Sequence, residues 1–319
     1  MLKKTHDISG RRLRTKPTST GKRIVPTERD VILLKKIHDH GPLNSRLLHA
    51  FTKDTHKSLY GTVRRLKELS HEDNTPHGGP YLSRPFGQFE TFNAWANYID
   101  YGLAPAGVRL LQEQGLYSDN RPVGRNPHRH AAMCAYITAC IELSCLERWD
   151  EGYRYISQSE LLDMKGATLE AEVPYVWNGT KRKGKLIPDA LFAIDYGGKF
   201  RAFALEADRA TERLDSEIDR NKSFRRNLLQ YQQFIGKGLY KASYGLTGGL
   251  VVLFVTTSGS RERSFLRMVD QHLPGCTYLC FQQAPEFGSI YKPPEFQEHF
   301  AEEAWRRASG ADPLDIMKP

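Results

Sequence analysis

Cysteine is scarce in this chain. Cys134, Cys140, Cys145, Cys276 and Cys280 are the five in 319 residues, and none forms a C-x-x-C pair. An odd number without paired spacing argues against a disulfide framework and points to a reducing compartment. Three of them lie in a segment with helical apolar spacing and are expected as buried thiols. No apolar run approaches the roughly 20 residues of a membrane span. The opening Met-Leu-Lys-Lys-Thr-His lacks the apolar core of a secretory leader. Internal repeats and long low-complexity segments are missing too. These absences predict a cytosolic globular protein with no membrane partner.

What the chain has in excess is positive charge: 46 Lys and Arg against 37 Asp and Glu, a net +9. Such a balance favours a polyanionic partner. An apolar content of 39% over 319 residues is enough for two domains and a sizeable core. Residues 1–25 hold Lys3, Lys4, Arg11, Arg12, Arg14, Lys16, Lys22 and Arg23 against the single acid Asp7. Pro, Ser, Thr and Gly fill the gaps, so a disordered basic arm is expected, lying along phosphates or simply solvated.

Pro26-Thr27-Glu28 opens the first of three short helices, with Thr27 as cap and Val31, Leu34 and Ile37 on the apolar face. Gly41-Pro42 stops it. The second helix carries Leu43, Leu47, Leu48 and Phe51, and the third is predicted over 56–69, capped by Thr52 or Thr55. In the third helix Leu59, Val63 and Leu66 recur at i, i+4 and i+7 and are expected to face the core. Lys57, Tyr60, Gly61, Arg64 and Arg65 then fall on or near the opposite face. A basic outward face on the third of three short helices is the helix-turn-helix recognition pattern, although a solvated charged helix reads similarly. Short strands predicted at 80–85, which includes Arg84, and 98–103 flank a loop as a wing would. The run Leu103-Ala-Pro-Ala-Gly-Val-Arg-Leu-Leu111 resembles the closing segment of winged-helix domains. Residues 26–117 are therefore expected to be a winged helix-turn-helix DNA-binding domain.

Residues 118–128 are linker-like in composition. His128 and His130 sit beside Cys134, but the spacing is not that of a tetrahedral site, so zinc is not expected. A long helix over 130–149 carries Glu142 and Glu147. Strands are predicted at 170–177, 186–195 and 199–208, with Lys181-Arg182-Lys183-Gly-Lys185 as a basic turn suited to phosphate contact or to solvent. A helix over 212–237, a buried strand over 248–256, a helix over 261–272 and a strand over 277–281 follow. The order α-β-β-β-α-β-α-β fills a second domain, 129–285, before a tail, 286–319, with one helix at 295–307.

The chemistry gathers at the hairpin 186–208. Gly197-Gly198 marks its turn. Asp189 opens one strand, while Glu206 and Asp208 close the other, two residues apart and hence on one face. Three carboxylates so placed suit a divalent cation, or a solvated network with Arg209 or Arg213.

Pro188-Asp189-Ala190, Glu206-Ala-Asp208-Arg209-Ala-Thr211-Glu212 and the order of elements resemble the PD-(D/E)xK nuclease-like fold. With the winged helix in front, the layout over 26–285 is similar to the replication-relaxation family of plasmid and mobile-element proteins. The resemblance implies a mixed α/β chain, double-stranded DNA as partner, and a bacterial, nucleoid- or plasmid-associated setting. It also implies Mg²⁺ or Mn²⁺ held by Asp189 and Glu206, with the carbonyl of Ala207 as a further ligand and Glu142 as the accessory helix carboxylate. This chain departs from the pattern at the lysine position, which Asp208 occupies; Lys222 or Arg226 from the following helix is the candidate cation. The expected function is metal-dependent nicking or cleavage of DNA at a site chosen by Lys57, Tyr60, Arg64, Arg65 and Arg84, with Lys181, Arg182 and Lys183 as further contacts. The alternative is a DNA-binding regulator whose nuclease-like domain serves dimerisation; a partner-binding adaptor fits the basic helix and arm less well. Winged-helix proteins often read two half-sites, so a homodimer is expected.

Overall fold

The computed structural model describes residues 14–55, 57–90, 97–122, 128–209, 213–215, 223–288, 299–308 and 310–319. They divide into two compact units, Met1–Ala139 and Cys140–Pro319. The division falls inside one helix and not in the predicted linker at 118–128. That helix, His128–Glu147, is buried continuously from Ala132 to Cys145. A helix that is apolar all round carries no compositional mark of a boundary.

In the first unit α1 (Glu28–His40) leads into β1 (Leu43–Asn44), α2 (Ser45–Ala50) and α3 (Leu59–His71). Then come β2 (Leu82–Ser83), β3 (Asp100–Leu103) and α4 (Pro105–Glu113). The strands form an antiparallel sheet in the order β1-β3-β2. Thr27 caps α1 as expected, and its backbone N–H donates to Asp30 Oδ2 at 2.8 Å. The cap of α3 is Ser58, whose Oγ accepts from Gly61 N, and not Thr52 or Thr55. The core face also differs from the expected one. Thr62, Leu66 and Leu69 are buried, whereas Leu59 and Val63, expected inside, are half-exposed. Gly107 lets α4 close on the strand region, because a Cβ there would lie 2.4 Å from the Tyr81 carbonyl oxygen.

The expectation of a disordered arm is corrected for residues 14–25; residues 1–13 lie outside the described set. Thr20 N–H and Oγ1–H donate to Glu72, a carboxylate 1% exposed at the end of α3. Thr18 N–H donates to His71 Nδ1, Lys22 pairs with Glu68 at 2.6 Å, and Ile24 is buried. A buried carboxylate needs donors, and the segment that composition marks as a tail supplies them.

The second unit continues from α5, the helix His128–Glu147, into β4 (Tyr153–Ile156) and α6 (Gln158–Asp163). β5 (Ala171–Trp177), β6 (Thr180–Leu186), β7 (Ala190–Tyr196) and β8 (Phe200–Asp208) follow. Next are α7 (Phe224–Gly236), α8 (Leu239–Tyr244), β9 (Leu250–Thr256), α9 (Gly259–His272), β10 (Leu279–Gln283) and α10 (His299–Glu302). The central sheet runs β4-β7-β8-β9-β10. β7 is antiparallel to both neighbours, and β8, β9 and β10 are parallel. One face buries Leu191, Ala204, Val252 and Phe281 under Phe224, Leu228, Phe234 and Phe265 of α7 and α9. Near-continuous apolar strands such as β9 are what two-sided burial requires.

Three expectations change here. The strand at 153–156 and the helix at 158–163 were not anticipated, and β4 forms the sheet's edge. The Lys181–Lys185 turn is in fact strand β6, paired with β5 in a separate ribbon. Asn178 and Gly179, at φ 46° and 77°, make the tight turn between them. The tail is part of the core: Trp305 and Ile316 are fully buried, and Arg306 exchanges backbone hydrogen bonds with Phe281 of β10. Its described helix ends at Glu302, short of the predicted 307, because Trp305 and Arg306 are bridged as strand. All five cysteines are buried thiols with no disulfide. Among the described residues no helix is long and apolar enough to cross a membrane.

Candidate functional site

Ala190 of β7 pairs with Leu205 of β8, which sets Asp189 across from Glu206 at the mouth of the hairpin. Asp189 N–H donates to Leu205 O, and Ala207 N–H donates to Asp189 Oδ2 at 2.8 Å. The carboxylate is thus tied to the backbone of the opposite strand. Glu206 and Asp208 share its face of the sheet and are 5% and 8% exposed.

Each of these two acids has a partner delivered by a helix. Tyr231 of α7 donates its O–H to Glu206 Oε1 at 2.5 Å. Complete burial, and then the adjacent Glu206, push the Tyr231 phenol well above its ordinary range, so it stays a donor. Arg261 Nε donates to Asp208 Oδ2 at 2.6 Å, with only 12% and 10% of the two side chains exposed. Ser258 caps α9 by accepting from Arg261 N–H, which fixes Arg261 in the first turn beside the end of β9. Thr256, the last residue of β9, is the register partner of Asp208. The Arg261 guanidinium also lies over the Phe265 ring, 5.0 Å from its centroid.

Asp189, Glu206, Ala207, Asp208, Asn227 and Arg261 line one cavity, with Phe224, Phe254 and Phe265 as its apolar wall. Phe224 stacks on Phe265 at 4.0 Å and meets Phe254 edge-on at 5.2 Å. Three carboxylates beside such a wall interact more strongly with any cation than they would in water. Hard oxygen donors of this kind suit Mg²⁺ or Mn²⁺ better than softer metals.

Of the predicted site residues, Asp189, Glu206 and Asp208 line this one cavity. Glu142 is buried on α5 and does not line the cavity. Lys222 lies outside the described residues. Arg226 turns away, over the Tyr175 ring of β5 at 5.8 Å. Lys181, Arg182 and Lys183 are exposed on β6, where Lys183 pairs with Glu172 and the nearby Lys185 pairs with Glu170 at 2.6 Å. In the first unit Lys57, Tyr60 and Arg64 are exposed, Tyr60 by 79%. Arg65 instead grips the fully buried Asp30, with Nε on Oδ1 at 2.9 Å and an Nη on Oδ2 at 2.6 Å. Arg84 is half-buried, and burial lowers its pKa. Sequence reasoning missed Arg261, Asn227 and the bond of Tyr231 to Glu206. A Ser cap with an arginine in the first turn of α9, and Asn227 one turn before Tyr231 on an apolar face, were the available signals.

The replication-relaxation family model matches residues 34–250, two thirds of the chain. The chain belongs to the replication-relaxation family. Within this family member the matched span takes in the hairpin and its three acids and stops short of Arg261. No curated protein and no solved structure gives a significant match.

Proposed function

We propose that this replication-relaxation protein binds double-stranded DNA of a plasmid or mobile element and nicks it at a divalent-cation centre. The observation that carries the reading is the meeting of Asp189 and Glu206 across β7 and β8, in one cavity that also takes a cationic side chain. The sequential sheet order with only the second strand reversed supports a PD-(D/E)xK-type domain. The three helices, three-stranded antiparallel sheet and exposed basic residues of α3 support a winged helix as the DNA-reading unit. The family's own description, replication and relaxation, supports a role on such elements.

In this reading Asp189 and Glu206 hold Mg²⁺ or Mn²⁺. When bound, the ion supplies Lewis acidity toward a phosphodiester. The protein's share is orientation. Ala207 N–H aims the Asp189 carboxylate, Tyr231 O–H aims that of Glu206, and Arg261 offsets the charge of Asp208. Tyr60 and Arg64 on the exposed face of α3, with Lys57 just before its cap, meet a groove. Arg65 is left out of that set because it holds α1 to α3.

One observation favours a second reading, a DNA-binding regulator without turnover: Asp208 and Glu206 already have partners in Arg261 and Tyr231. Supercoiled plasmid separates the two. Conversion to open circle with Mg²⁺ or Mn²⁺, lost in Glu206→Gln while DNA binding persists, is the expected result. Plasmid left intact with both ions overturns nicking and leaves the regulator. In the same assays Arg64→Ala is expected to weaken binding and reduce the salt slope by about one.

A further inference from the structure

Resting on the reading of this cavity as a phosphodiester site, we propose that Asn227 is its oxyanion donor, giving an Nδ2–H to a non-bridging oxygen of the bound phosphate. Asn227 lines the cavity from α7 and is 7% exposed. The other polar lining residues each have a side-chain bond: Asp189 accepts from Ala207 N–H, Glu206 from Tyr231 and Asp208 from Arg261. The Asn227 carboxamide has no hydrogen-bond partner among the described residues. Gln230, the other buried amide of α7, is bonded, its Nε2 donating to Lys185 O at 3.2 Å. Burying a carboxamide without partners is costly, and in a cavity it is a group that a ligand can satisfy.

Neither packing nor helix stability accounts for this amide. Phe224, Leu228, Tyr231 and Phe234 form the buried stripe of α7, and Asn227 interrupts it where a leucine would continue the core. Asparagine is also a poor residue for a helix interior. Asn227 shares the face of Tyr231 and lies about 6 Å nearer the helix start than that tyrosine, which bonds Glu206. Phe224 begins α7 at the cavity, and the first turn of α9 reaches it through Arg261. Helix N-terminal ends carry partial positive charge, which favours an anion over a cation. That sign selects the N–H side of the carboxamide, facing a phosphate oxygen, over its carbonyl acting as a metal ligand. The backbone amides at the α7 start are already engaged. Phe224 N–H donates to Arg213 O and Arg225 N–H to Leu214 O, each at 3.1 Å, and Arg226 N–H to Ser223 Oγ at 3.3 Å. What α7 still offers the cavity is the Asn227 side chain.

The test is nuclear magnetic resonance of the full wild-type chain, its asparagines isotope-labelled at nitrogen, titrated with inorganic phosphate in Mg²⁺. The Asn227 side-chain signal, identified as the one missing from Asn227→Asp, is expected to shift and saturate. A signal that phosphate leaves in place overturns the proposal. Supercoiled plasmid in Mn²⁺ gives a second measurement. Asn227→Ala is expected to slow nicking about a hundredfold. Its Mn²⁺ binding, read by electron paramagnetic resonance of the unbound ion, is expected to stay within about threefold of wild type. Asn227→Asp keeps the shape and an oxygen but gives up the donor, and is expected to lose at least as much nicking. Nicking that survives Asn227→Asp overturns the proposal, as does Mn²⁺ binding weakened about tenfold in Asn227→Ala, which would make Asn227 a metal ligand. A phosphate shift with plasmid left intact by the wild type keeps the donor and ends the nicking reading; nicking without the shift does the reverse.

Discussion

Two buried arginine–carboxylate pairs, one in each unit, show how similar contacts serve different ends. In the first unit Arg65 is bidentate on Asp30 and also bonds Glu68, which in turn takes Lys22; two acids meet two bases. Hydrogen bonding to Asp30 raises the Arg65 guanidinium further above its already high range. In the second unit Arg261 pairs with Asp208 in a cavity that Asp189 and Glu206 also line. The first network is complete and ties α1 to α3. The second sits in a cavity beside two further carboxylates, and a cluster of buried carboxylates is what a cation or a developing charge can use. An ion pair alone is weak evidence of a site; the carboxylates clustered beside it are the informative part.

The largest expected effect breaks the closed network. Arg65→Ala leaves Asp30 buried without its main partner and is expected to lower stability by about 3–5 kcal/mol in urea denaturation. A loss below about 1 kcal/mol would remove the contrast with the cavity. A second test uses pH. Burial works to raise the pKa of Asp39, but its bonds to His38 and Lys35 overcome burial and hold the group at about 2. The folded value lies below the unfolded one of about 3.9, so the stabilisation is present above it and is lost as pH falls from about 4 toward about 2. The loss should be on the order of 2 kcal/mol in the wild type and absent in Asp39→Asn, followed by denaturation across the acid range. The smallest effect belongs to the cavity. Tyr231→Phe removes one donor from Glu206 and is expected to cost about 1–2 kcal/mol, equally at about pH 6 and about pH 9, because the buried phenol stays protonated throughout. A loss that shrinks at the higher pH would show that Tyr231 ionises.

Much of the site was legible, for local reasons. Gly197-Gly198 marked the hairpin, and period-two alternation put Glu206 and Asp208 on one face with Asp189 opposite. The three N-terminal helices followed from apolar spacing, though the cap of α3 is Ser58 and its buried face runs through Thr62, Leu66 and Leu69. Strand β6 was missed because four basic residues outweighed the Asn178-Gly179 turn signal, and its exposed edge needs no apolar pattern. The order of residues 14–25 was missed because Glu72, their anchor, lies outside the segment whose composition was read. Lys222 and Arg226 were sensible candidates for the cation by sequence proximity, yet the side chain that reaches Asp208 comes from residue 261.

The sequence by itself determined the family, the hairpin and the three acids on it, since each rests on neighbours within a few residues or on a fixed backbone period. Only the tertiary structure decided which helix supplies the cation, that Tyr231 is bonded to Glu206, and that the tail completes the core. Arg261 is 53 residues from Asp208 along the chain. They become neighbours because β9 lies parallel to β8 and ends where α9 begins. Strand pairing of that range depends on burying both faces of a sheet at once, which no local window of sequence records.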